Sequence, residues 1–160
     1  MMRLPPRNSI ARDAVKVWKI METIYVGFFW LFIIAGGISV FWFDFPRWPL
    51  VVAVIVGVIM SYFVIFQIPE LRWRRWRYEV FEQEVYIQHG ILIQTRTLVP
   101  MIRVQHVDTK QGPILKKYQL ASVTISTAAT THEIPALTEE DAAALRDRIS
   151  NLARVDDDDV

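Results

Sequence analysis

Thr23 to Ile68 reads TIYVGFFWLFIIAGGISVFWF, then DFPR, then WPLVVAVIVGVIMSYFVIFQI: two 21-residue runs without a charged side chain, parted by four residues. At about 1.5 Å of rise per residue, a helix of that length crosses the roughly 30 Å hydrocarbon core of a bilayer. Two helices apolar on every side need cover on every side, and the rest of the 160-residue chain is too short to wrap both as a soluble protein. A cleaved signal peptide does not fit either, because the first run exceeds a typical signal core and follows 22 polar-rich residues. The reading is a tight antiparallel transmembrane hairpin with spans at 23–43 and 48–68 inside a 23–69 segment. Trp42, Phe43, Phe45 and Trp48 cluster at its turn as an aromatic belt. Gly36, Gly37 and Ser39 in the first span, with Gly57 and Ser61 in the second, offer places for close helix approach. Neither span carries an ionisable side chain, which argues against an ion or proton path through the hairpin alone.

The flanks set the orientation. Arg3, Arg7, Arg12, Lys16 and Lys19 precede the first span, Arg47 alone lies in the turn, and Arg72, Arg74, Arg75 and Arg77 follow the second. That five-to-one-to-four split places both termini in the cytoplasm of a multi-pass cell-membrane protein. The stretch LRWRRWRYEV, Leu71 to Val80, mixes arginine with aromatic residues as some nucleic-acid surfaces do. Its position just after a span assigns it instead to the headgroup layer, with Trp73 and Trp76 at interface depth, and no nucleic-acid partner is expected. Residues 1–22 are read as an interfacial segment, with a short helix from Asn8 or Ser9 to Glu22 and Trp18 beside Lys16 and Lys19 near the headgroups.

Beyond Tyr78 the pattern shortens. Tyr78 and Val80, Val85 and Ile87, and Ile91 and Ile93 alternate with their neighbours, with Gly90 as a turn or bulge between the last two pairs. Pro100 breaks the next run, Ile102 and Val104 resume it, and Gly112-Pro113 opens a loop. Ala121 to Thr127 alternates with Val123, Ile125 and Thr127 on one face, and His132 to Ile134 ends at Pro135. Thr138 followed by Asp141 is a capping-box pattern, after which Ala142, Leu145, Ile149 and Leu152 share a helix face. Six or seven short strands and one amphipathic helix predict an antiparallel β-sandwich or barrel over 70–155. The remaining 156–160 form an acidic tail, expected to be disordered.

The stretch VPMIRVQHVDTKQGPILKKYQLASVTISTA, Val99 to Ala128, resembles the bacterial PH-domain family of small membrane proteins. The features that match are Pro100, Ile102 to Gln105, Gln111-Gly112-Pro113-Ile114, the basic pair Lys116-Lys117, and Val123 to Ala128. Ala14 to Ile20, AVKVWKI, is similar to the segment that precedes the family's two-helix hairpin, so the likeness covers nearly the whole chain. One position departs: the family's glycine after the basic pair is Gln119 here. The resemblance implies a membrane protein of α+β class, a transmembrane hairpin followed by a PH-like pair of antiparallel sheets with a C-terminal helix. It imports no activity, because fold alone does not give function.

The chain has no cysteine, which excludes disulfides, thiolate metal sites and cysteine nucleophiles. His89, His106 and His132 lack partners at metal-ligand spacing, His106 and Asp108 read as a surface pair, and no phosphate loop, HExxH or GxSxG occurs. No catalytic residue, metal or cofactor is expected, and the chain is read as a non-enzyme. From Tyr78 onward 8 Lys and Arg face 13 Asp and Glu, a net −5, so an anionic membrane weakly repels the domain. Lys110, Lys116 and Lys117 are the local basic cluster available for headgroup or partner contact, while Trp18, Lys19, Arg72, Trp73, Arg74, Arg75, Trp76 and Arg77 are the membrane-interface residues. The function expected is a membrane-anchored PH-like interaction module in a membrane protein assembly. Its partners are membrane lipids and another membrane protein, one that carries related PH-like domains. The alternatives are an anionic-lipid-sensing module and an accessory subunit of a transporter.

Overall fold

The computed structural model describes residues 4–43 and 45–158, with side chains through Arg154. The chain divides into a helical hairpin, Trp18 to Glu70, and a β-rich unit that gathers residues up to Val17 with those from Leu71 onward.

The hairpin begins in α1, Ala14–Trp42, which is continuous through the first span rather than starting at Asn8. Helix α2, Trp48–Tyr62, has Pro49 in its first turn, where the missing N–H costs no helical bond. A π-helical turn at Phe63–Gln67 leads into α3, Ile68–Arg75, so the second helix runs unbroken from Trp48 to Arg75. Both helices are long and apolar enough to cross a membrane. The turn residue Asp44 lies outside the described residues. Helix contact centres on Gly57, where a Cβ would come within 3.2 Å of the Phe29 ring. The missing side chain admits Trp30, whose Nε1 donates to Ser61 Oγ at 3.1 Å, and Ser61 in turn donates to the Gly57 carbonyl at 2.6 Å. Gly37 faces Leu50, whereas Gly36 meets nothing within 4 Å and Ser39 bonds to its own helix.

The β-rich unit holds seven strands in two antiparallel sheets among the described residues. The first sheet has the order β1 (Asn8–Ser9), β2 (Arg77–Val80), β3 (Glu84–His89), β4 (Thr95–Pro100). A 3₁₀ turn at Met101–Arg103 leads to the second sheet, with the order β5 (Val104–Lys110), β6 (Leu120–Thr127), β7 (Thr131–Thr138). A short helix α4, Pro113–Lys117, links β5 to β6, and α5, Glu139–Asp158, packs on β5, β6, β7 and the 3₁₀ turn. The core is aliphatic: Val85, Val99, Met101, Val123, Ile125 and Ile149 are buried essentially completely. Helix α5 starts where the capping pattern places it, with Asp141 N–H donating to Thr138 Oγ1 at 3.1 Å. Its Arg148 donates to the Val80 carbonyl at 3.1 Å, a tie to β2.

Several local expectations change. Asn8 and Ser9 form a strand paired with Tyr78 and Arg77, and Ala11 N–H donates to the Ala136 carbonyl at 3.1 Å, so this segment completes the β-rich unit. Two residues are too few to show a periodicity, and partners almost 70 positions away in sequence decide their state. Ile91 and Ile93 lie in the β3–β4 turn, not in a strand. Ile102 lies in the 3₁₀ turn, and Gly112-Pro113 opens α4 rather than a plain loop. Strand β7 continues through Pro135 to Thr138 as Ala136 takes φ +50° at a register shift, and as an edge strand it tolerates the proline. The acidic residues Asp156 to Asp158 continue α5, while Asp159 and Val160 lie outside the described residues.

Candidate functional site

The segment after the second span is ordered by the β-rich unit itself. Trp73 Nε1 donates to the Ile10 carbonyl at 3.1 Å, and the Arg12 guanidinium lies 5.3 Å from the Trp73 ring centroid. Trp76 is buried and stacks on His89, with ring centroids 5.3 Å apart at 18°. One tryptophan therefore joins the segment to the N-terminal residues and the other to the end of β3. Arg72, Arg74 and Arg75 are exposed and Arg77 is half-buried in β2. Arg7 approaches Glu79 at 3.7 Å, a further link between the first residues and β2. In the hairpin, Trp18 is buried and Lys19 Nζ lies 5.5 Å from the Phe66 ring centroid.

Lys110, Lys116 and Lys117 are all exposed. Pairing of Lys110 with Ser122 puts the end of β5 beside the start of β6, and α4 carries the other two lysines into that same end. The sheet also brings acids there, because Leu120 pairs with Thr138 and α5 opens with Glu139, Glu140 and Asp141. Gln111 ties the two sides through the Leu120 carbonyl at 3.0 Å and the Glu139 carboxylate. Basic and acidic residues thus share one end of the sheet, which the sequence does not reveal. Tyr78, mostly buried in β2, is held above the ordinary phenol pKa, first by burial and then by the charge of Asp141.

His106 Nε2 and Asp108 Oδ2 are 3.8 Å apart with both side chains more than half exposed, the geometry of a surface pair. Among the described residues no cluster of His, Asp and Glu gathers with metal-ligand geometry. An open cleft of about 840 Å³ lies instead where β4 turns into β5. Leu98, Pro100, Ile102, Val104, Thr127 and His132 line it. Strands β4 and β5 are edges of their sheets, and no residue of β5 is fully buried. Ile102, at the corner, is 60% exposed. The sequence reading breaks a run at Pro100 and resumes it at Ile102 and Val104, but it does not show that β4 and β5 are edges, because pairing order is a tertiary property.

The sequence profile of the bacterial PH domain matches residues 25–153, from within α1 through the second apolar helix and strands β2 to β7 into α5. The chain belongs to the bacterial PH-domain family. A relative from Bacillus subtilis (strain 168), the UPF0699 transmembrane protein YdbS, is 52% identical over 159 residues, covering 99% of this chain and all of the relative. A second protein of that organism, the UPF0699 transmembrane protein YdbT, is 22% identical over 151 residues, which is 92% of this chain but 29% of the longer relative. No solved structure matches the chain. The two sheets with α5 are the PH-like domain, and the two apolar helices, each long enough to cross a membrane, fit a family in which the 52% identical relative is named a transmembrane protein. Gln119, at the position where the family pattern has glycine, follows α4 at φ +54°, the left-handed conformation that glycine adopts without strain.

Proposed function

We propose that this protein is a non-enzymatic, membrane-anchored interaction module. The hairpin holds the PH-like domain at the cytoplasmic face, with both termini inside, and the domain docks a second membrane protein along the β4–β5 edges. The observation that carries this reading is the cleft at the sheet corner. It joins two edge strands, positions at which a sheet can accept a partner strand, with apolar side chains that can select one. Tethering adds effective concentration, so a modest edge contact suffices within one membrane. The partner expected is a larger membrane protein with related PH-like domains. In support, a region similar to 92% of this chain forms under a third of a longer relative named a transmembrane protein.

The test is purification of the tagged full-length protein from its own membranes in mild detergent, with mass spectrometry of what co-purifies. A stoichiometric membrane protein, lost on Ile102→Asp, supports docking at the corner. Recovery of the protein alone with enriched anionic lipid, abolished by Lys116→Glu with Lys117→Glu, sinks the proposal in favour of lipid sensing. Exchange of both spans for an unrelated hairpin separates a third role, accessory subunit of a transporter. Assembly survives that exchange if the PH-like domain is the contact and fails if the hairpin is.

A further inference from the structure

The β3–β4 turn, Gly90 to Gln94, reads GILIQ and presents apolar side chains that the domain does not use. Leu92 is 96% exposed, the most exposed large apolar side chain among the described residues, and Ile93 is 81% exposed. The reversal itself depends on Gly90, at φ +111°, where a Cβ would collide with the Ile93 carbonyl oxygen. Nothing in that geometry requires aliphatic residues at the tip, since polar residues make such turns at no hydrophobic cost.

The register shows where the tip points. Gln88 pairs with Arg77 on one side and with Arg96 on the other, so the last residues of β3 lie at the end of the sheet where β2 begins. Trp76, immediately before β2, stacks on His89, immediately before the turn. Arg77 follows Ile68, the last residue of the uncharged run, by nine positions. The apolar tip and the arginine segment therefore leave the sheet at the same end, which the chain holds close to the bilayer. Arg77 and Arg96 flank Gln88 on neighbouring strands, so this end is basic although the domain as a whole is acidic. An apolar tip with Arg77 and Arg96 behind it matches an interface with acyl chains below and anionic headgroups above.

We propose that Leu92 and Ile93 insert into the leaflet adjoining the arginine segment, a third membrane contact beyond the two spans, with Arg77 and Arg96 at headgroup level. The contact is to lipid, and it is separate from protein docking at the β4–β5 corner. It holds the domain in one attitude relative to the bilayer.

The natural chain lacks cysteine, so single labels are straightforward. Leu92→Cys, Ile93→Cys and Ile102→Cys are made in the full-length protein, labelled with a polarity-sensitive dye and reconstituted in phosphatidylcholine–phosphatidylglycerol vesicles. The labels at 92 and 93 are expected to emit at shorter wavelength than the label at 102. They are also expected to resist aqueous iodide and to be quenched by doxyl lipids about 5–10 Å below the headgroups. The effect should persist as protein is diluted into excess lipid. Water-like emission and full iodide quenching at both 92 and 93 overturn the proposal. A shift that disappears on dilution overturns it too, because the tip then meets a second copy of the chain.

Discussion

Gln119→Gly is expected to stabilise the protein, although it removes a side chain. Gln119 is exposed and sits at φ +54° just after α4, with its N–H on the Lys116 carbonyl and its own carbonyl accepting from Glu139 N–H at 3.2 Å. A left-handed conformation costs an L-residue about 1–2 kcal/mol, which glycine avoids. Glycine also gains freedom in the unfolded chain, which offsets about 0.4–1 kcal/mol. The balance is a stabilisation of about 0.5–1 kcal/mol, or about 2–8 °C in the melting midpoint for a domain of this size. Urea and thermal unfolding of the full-length protein in nonionic detergent, followed by tryptophan fluorescence, measure it. Gln119→Asn should fall between glycine and glutamine, Gln119→Ala should gain nothing, and Gln119→Val should lose stability, since β-branched residues resist positive φ. Loss of stability in the glycine variant, or an equal gain from alanine, would refute the conformational argument and locate the effect in the side chain.

Removing the helix cap by Thr138→Ala should cost about 1 kcal/mol in the same unfolding assay, and an unchanged midpoint would show that the Asp141 N–H finds another acceptor. Ile149→Ala, which empties a fully buried site under α5, should cost about 2–5 kcal/mol; a cost near zero would mean that α5 does not seal the core. The raised pKa of Tyr78 sets a sign with pH. The unfolded chain loses this proton at lower pH than the folded one, so stability should fall as pH rises above about 10. Tyr78→Phe should make that fall shallower than in the wild type, and superimposable curves would dismiss the effect. In the hairpin, Ser61→Ala removes the acceptor for Trp30 and should weaken helix association by about 0.6 kcal/mol, with about 1.7 kcal/mol as an upper bound, measured by steric trapping in bilayers. No change there would mean that shape at Gly57, rather than the hydrogen bond, holds the helices.

The two long apolar helices were readable because a membrane helix needs length and excludes charge, and both features are written locally in the uncharged runs 23–43 and 48–68. The same is true of Thr138 with Asp141, where the capping partners are three positions apart. Strand β6 was readable from the alternation of Val123 and Ile125, although the burial of Ser122, Thr124 and Ser126 on its other face was not. The misreadings involve partners distant in sequence. Asn8 and Ser9 become a strand only because Arg77 and Tyr78 offer one, and Ile91 and Ile93 stay outside the sheet because Gly90 turns the chain early. Trp76 illustrates the limit for the candidate site. Its place after the apolar run suggests the bilayer surface, and only the structure shows it buried and stacked on His89, where it fastens the end of β3.

The pairing of β1 with β2 bears on biosynthesis. Ser9 and Arg77 are neighbours in the sheet but lie 68 positions apart, with the whole membrane hairpin encoded between them. At a synthesis rate of about 5–20 residues per second, the first strand leaves the ribosome roughly 3–14 s before its partner. During that interval both apolar helices are made while Asn8 and Ser9 have no partner strand. A chain in which only one of the two helices crossed a bilayer would hold Asn8 and Ser9 across it from the sheet they complete. Completion of this sheet thus acts as a check on topology, since only chains threaded with both ends on one side can close it.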